Sequence, residues 1–133
     1  MLNHPKTTLM KKTILIAEDN DFMSLLMHQL LKDEYNLVVK NNGADALEWL
    51  QEGNIPDIIL TDLNMPRVDG WMLMSFIQAS YNLKDVPVLV LSVFKNARER
   101  FKSMNLGATD YIEKPFVHEH LVNKVSMLLS PSN

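Results

Sequence analysis

The chain has 133 residues, 47% of them hydrophobic and 22% charged, with a formal net charge of -3. That is the composition of an ordinary globule of about one domain. It has no cysteine, which excludes a disulfide framework and a thiolate metal site. No apolar run nears the roughly 20 residues that span a bilayer, and residues 1–11 lack the apolar core of a signal peptide. The slightly acidic balance gives no basic patch for nucleic acid. We therefore expect a cytoplasmic protein with no direct nucleic-acid contact and no membrane insertion.

Residues 1–11, with His4-Pro5 and two threonines, read as a flexible N-terminal tail. Lys12 to Ala17 is a compact apolar segment, a first strand. It runs into Glu18-Asp19-Asn20-Asp21, where Asn20 or Asp21 can cap the next helix. That helix, Asp21 to Lys32, carries Phe22, Met23, Leu26, Met27 and Leu30 at helical spacing. Tyr35 to Lys40 reads as a strand, Asn41-Asn42-Gly43 as a turn, and Ala44 to Gln51 as a short helix stopped by Gly53. Its inward residues are Ala46, Leu47 and Leu50.

Asp57 to Thr61 is the third strand, and it delivers Asp62 into a loop of turn chemistry, Asn64, Met65-Pro66 and Asp69-Gly70. Trp71 to Ala79 is a helix with Leu73, Met74 and Ile77 as core contacts. Pro87 opens the apolar run Val88 to Leu91, which ends at Ser92. Asn96 to Asn105 is a polar helix ended by Gly107. Thr109 to Ile112 is a short fifth strand, followed by Glu113-Lys114-Pro115 and a helix over Val117 to Leu129 with Leu121, Val125 and Leu128 inward. Proline suits the start of that helix. Residues 130–133 read as a C-terminal tail, and with the start at Met1 they suggest a whole protein. Strand and helix alternate five times, which argues for one parallel α/β sheet covered on both faces, with right-handed crossovers.

In such a sheet the C-terminal strand ends share one edge, where ligands bind. Glu18 and Asp19 arrive there from the first strand, Asp62 from the third, Ser92 from the fourth and Lys114 just past the fifth. Three ionised acids side by side are costly without a cation. Mg2+ suits an oxygen-only site, because it needs few protein carboxylates and keeps places for water and phosphate. Aspartate can act as a nucleophile and form an aspartyl phosphate. Phosphoryl transfer needs mainly positioning and charge stabilisation, which Lys114 and Ser92 would supply to two phosphoryl oxygens.

Glu18-Asp19, Asp62 within Asp62-Leu63-Asn64-Met65-Pro66-Arg67-Val68-Asp69-Gly70, Ser92, and Gly107 to Phe116 together resemble the receiver domain of two-component response regulators. The resemblance covers residues 12–129, nearly all of the chain. It implies a flavodoxin-like, doubly wound, five-stranded parallel sheet of order 2-1-3-4-5 with five helices. It also implies a single-domain response regulator of a phosphorelay. In that role Asp62 accepts a phosphoryl group from a histidine kinase or histidine phosphotransfer protein and signals to an unknown downstream protein. This is a switch rather than an enzyme. By the same resemblance Asp19, Asp62 and the Asn64 backbone carbonyl hold Mg2+, with Glu18 assisting. Ser92 and Tyr111 match the family's switch pair, the Lys114-Pro115 bond is cis, and the fourth helix, fifth strand and fifth helix form the output face. Val93 stands where the family prefers a small residue, and Phe94 and Asn64 occupy positions that tune phosphoryl lifetime.

The competing class is a phosphorylation-independent receiver-like interaction module; the intact acids and Lys114 count against it. A flavin or dinucleotide site would need glycines or hydroxyls after the first strand, where Glu18 to Asp21 instead repel an anion. A phosphatase would need a second acid where Asn64 stands. The four histidines receive no role, since His118 and His120 are two apart on a helix and face different ways. The methionines are read mostly as core filler.

Overall fold

The computed structural model describes residues 11–130. The tails expected over 1–11 and 130–133 lie outside the described residues, save Lys11 and Ser130 at their inner ends. Five parallel strands form one sheet: β1 (Thr13–Ala17), β2 (Asn36–Lys40), β3 (Ile58–Thr61), β4 (Val88–Ser92) and β5 (Asp110–Glu113). Their order is β2-β1-β3-β4-β5, as the resemblance implies. β3 and β4 are buried along their whole length, which is why they read as continuous apolar runs rather than alternating ones.

Five helices connect and cover the strands: α1 (Asp21–Leu31), α2 (Gly43–Gln51), α3 (Gly70–Ala79), α4 (Ala97–Asn105) and α5 (His118–Leu129). Four start on a side-chain cap. Asn20, Asn42, Asp69 and Asn96 each accept a hydrogen bond from the backbone N–H three residues on, satisfying a donor the helix leaves open. Asn20, not Asp21, caps α1. α5 begins after Val117 with no side-chain cap, so Pro115 precedes the helix rather than opening it. Gly53 ends α2 with a positive φ of 98°, a conformation glycine adopts without strain.

The sheet separates two cores. Leu15, Ile59, Val88 and Val90 face the buried residues of α2 and α3. Ile14, Ile16, Leu60, Leu89, Leu91 and Ile112 face Met27 and Leu31 of α1 and Leu121 and Val125 of α5. The inward residues expected on α2, α3 and α5 are buried or packed against these cores. α1 differs from expectation: Phe22 is 72% exposed, and the buried positions are Ser24, Met27 and Leu31. Met23 and Leu30 pack against the second core as expected. The methionines divide in the same way. Met27, Met65 and Met74 are buried, whereas Met72, Met104 and Met127 are exposed.

Candidate functional site

Asp62 follows directly on β3, and its own N–H donates to the Ala17 carbonyl at the end of β1. The side chain is buried and its two oxygens are treated differently. Oδ1 accepts from Leu63 N–H at 2.6 Å, Asn64 N–H at 3.2 Å and Ser92 Oγ at 3.0 Å. Among the described residues Oδ2 accepts only from Lys114 Nζ, at 3.1 Å. Spare lone-pair capacity therefore lies on Oδ2, the atom left to meet a cation or an electrophile. Gly70 secures the loop behind it, donating its N–H to the Leu63 carbonyl. A Cβ there would lie 2.2 Å from the Asp62 carbonyl oxygen, so only glycine permits the approach.

Glu18 continues β1 and is 1% exposed. Oε1 accepts from Lys114 Nζ at 2.6 Å and Oε2 from the Asn20 N–H at 3.2 Å. Burial pushes its carboxyl above the usual range, although the hydrogen bond and charge of Lys114 pull the other way. Burial alone would lower the Lys114 pKa. The hydrogen bond to Glu18 and its charge, with Asp62 behind them, outweigh burial and hold the ammonium above its ordinary value. Lys114 is fixed at its backbone too, where its N–H donates to the Ser92 carbonyl at 3.0 Å. The Lys114-Pro115 bond is cis.

Asp19, exposed beside Glu18, completes a group of three carboxylates, Glu18, Asp19 and Asp62, each offering an oxygen within 4.8 Å of the others. Among the described residues one ammonium answers three carboxylates, which leaves two formal negative charges over. A divalent cation would balance them, and a donor set made only of oxygen fits Mg2+ rather than a softer metal.

The structure thus brings Glu18, Asp19, Asp62, Ser92 and Lys114 together at one edge. Asn64 is exposed two residues beyond Asp62. Tyr111 stands apart: it is half-buried, stacks edge-on against Phe94 at 5.3 Å between centroids, and lines a groove with Ala97, Arg100, Phe101 and Met104. Val93 is 64% exposed and points away from the core. His118 and His120 are exposed and lie outside the carboxylate group. Two features were not read from the sequence. One is the pair of backbone N–H groups that hold Asp62 Oδ1. The other is the direct Glu18–Lys114 ion pair, for which spacing gives no signal because the residues stand 96 apart.

Residues 14–126 match the family model described as the response regulator receiver domain. The chain is 37% identical over 117 residues to the transcriptional regulatory protein PcoR of Escherichia coli, covering 87% of this chain and 50% of PcoR. It is similar in structure to the signal receiver domain of a signal transduction histidine kinase from Syntrophus aciditrophicus, with a TM-score of 0.81, 30% identity and 89% of each chain covered. It is also similar to the phosphorylated cyanobacterial phytochrome response regulator RcpA, with a TM-score of 0.77 and 30% identity, covering 89% of this chain and 91% of RcpA. The chain belongs to the receiver-domain family of two-component response regulators, a signalling module whose features include a phosphoacceptor aspartate and a magnesium site. It spans half or less of the length of the curated relatives it matches. Among the described residues no helix is long and apolar enough to cross a membrane.

Proposed function

We propose that this chain accepts a phosphoryl group on Asp62 from a histidine kinase or histidine phosphotransfer protein, in a Mg2+-dependent reaction, and passes the signal on by a change of conformation. The observation that carries this reading is the setting of Asp62. It is a buried carboxylate at a strand end, with Lys114 at 3.1 Å and two further acids within 4.8 Å. Membership of the receiver family supports it, as does the phosphorylated state of the similar protein RcpA. The same reading places the chain in the cytoplasm.

In the transfer an Asp62 carboxylate oxygen forms a new bond to phosphorus while the phosphorus–nitrogen bond of the donor's phosphohistidine breaks. The electron pair of that bond stays on the imidazole nitrogen, which picks up a proton. Lys114 pairs with one phosphoryl oxygen and Ser92 donates its hydroxyl to another, so both give up contacts they now make to Asp62. Glu18, Asp19, Asp62 and the Asn64 backbone carbonyl would hold the metal. When bound, Mg2+ supplies positive charge that offsets the acids and the incoming phosphoryl oxygens. Ser92 and Tyr111 act as the switch pair. The product is an acyl phosphate lost by slow self-hydrolysis, so the domain signals rather than turns over a substrate.

Intact mass after incubation with acetyl phosphate, with and without Mg2+, tests this beside Asp62→Asn. A single phosphoryl adduct that needs Mg2+ and is absent from the variant is the expected result. No adduct, together with no binding of beryllofluoride, would overturn the reading and leave the phosphorylation-independent interaction module.

A further inference from the structure

Beyond Ser92 the chain keeps strand alternation for two more residues, with Val93 outward and Phe94 inward at 7% exposure. Phe94 lies in the same core as Val90 and touches Tyr111, the register partner of Val90 on β5. The two rings meet edge to face, 5.3 Å apart at 81°, a geometry set by the opposite signs of ring edge and ring face. Tyr111 in turn lines the groove of Ala97, Arg100, Phe101 and Met104 on α4. An unbroken line of contacts thus runs from the acceptor to a surface: Asp62 Oδ1 to Ser92 Oγ at 3.0 Å, then two residues of backbone to Phe94, then Tyr111.

We infer that Phe94 is a positioning residue, the part that holds Tyr111 and carries a displacement of Ser92 to the groove on α4. This rests on the reading of Asp62 as phosphoacceptor. Ser92 is fully buried and has no methyl group to press on a neighbour, so its shift toward a phosphoryl oxygen moves little bulk of its own. The ring that does move lies two residues along the same backbone. Because Phe94 packs on Tyr111 through an aromatic edge, the relay depends on ring shape as well as on volume. A residue that merely fills the core would be replaced by leucine without loss of coupling.

The test uses the whole chain with carbon-13-labelled tyrosine. The protein has Tyr35, Tyr81 and Tyr111, and Tyr111→Phe assigns the third ring signal. Beryllofluoride with Mg2+ is the probe; its bound fluorine signal reports Asp62 separately. In the parent chain, binding shifts the Tyr111 signal. Phe94→Leu is expected to keep the bound fluorine signal at saturating beryllofluoride yet lose that shift, and Phe94→Tyr to restore it. A full Tyr111 shift in Phe94→Leu would overturn the relay and leave Phe94 as filler. Loss of the bound fluorine signal in Phe94→Leu would also overturn it, by placing Phe94 in the acidic site. Absence of bound fluorine in the parent chain would sink the Asp62 reading itself, and the relay with it.

Discussion

Arg67 holds a φ of 65° in the loop between Asp62 and α3, a left-handed conformation that costs a residue with a Cβ roughly 1–2 kcal/mol. Replacing it with glycine removes that strain but loosens the unfolded chain. The expected result is a small rise in the urea midpoint for Arg67→Gly, from a gain in unfolding free energy of no more than about 1 kcal/mol, and a lowered midpoint for Arg67→Val, whose branched Cβ fits that region worst. Arginine gives no turn signal, so nothing in the sequence marked this position, although Met65-Pro66 and Asp69-Gly70 marked the loop around it. The acids were legible for the opposite reason. Glu18, Asp19 and Asp62 each sit where an apolar run ends, and a polar residue at a strand tip is visible in any window. Their burial was not visible, because Glu18 and its exposed neighbour Asp19 differ only by strand alternation at the edge.

Among the elements α4 stands out. Its only buried residue is Ser103, while Phe101 and Met104 face solvent. A helix with so little apolar contact opens locally at low free-energy cost. Amide hydrogen exchange should therefore be faster through Ala97–Asn105 than through α3, where Leu73, Met74 and Ile77 are fully buried. Equal protection of the two would refute the argument. Element type and order were legible throughout, because strand runs are short and apolar and four of the five helices carry a side-chain cap. Boundaries moved by a residue, as fraying ends do. The face of α1 was legible from Met23, Met27 and Leu30, which pack on the second core, but apolar spacing also put Phe22 on it, and Phe22 is exposed.

At the scale of the molecule the two cores share their strands. Leu15 faces one and its neighbours Ile14 and Ile16 face the other, so neither core can come apart while the sheet stands. Trp49 and Trp71 both pack on the first core. Tryptophan fluorescence in urea should therefore trace the same transition as far-ultraviolet circular dichroism, which sees all helices; two separate midpoints would show that the cores unfold independently. The alternation of strand and helix predicted this architecture, but not that Lys114 would bridge Glu18 and Asp62 at 2.6 and 3.1 Å. That bridge joins the first strand to the residue after the last, 96 positions apart. It also bears on the order of events at the ribosome. A nascent chain that has exposed β1 to β4 possesses Glu18, Asp19 and Asp62 but not yet Lys114. On the reading of Asp62 as acceptor, the complete site forms only once the fifth strand has emerged and joined the sheet, so its charge balance is the last part of the fold to be made.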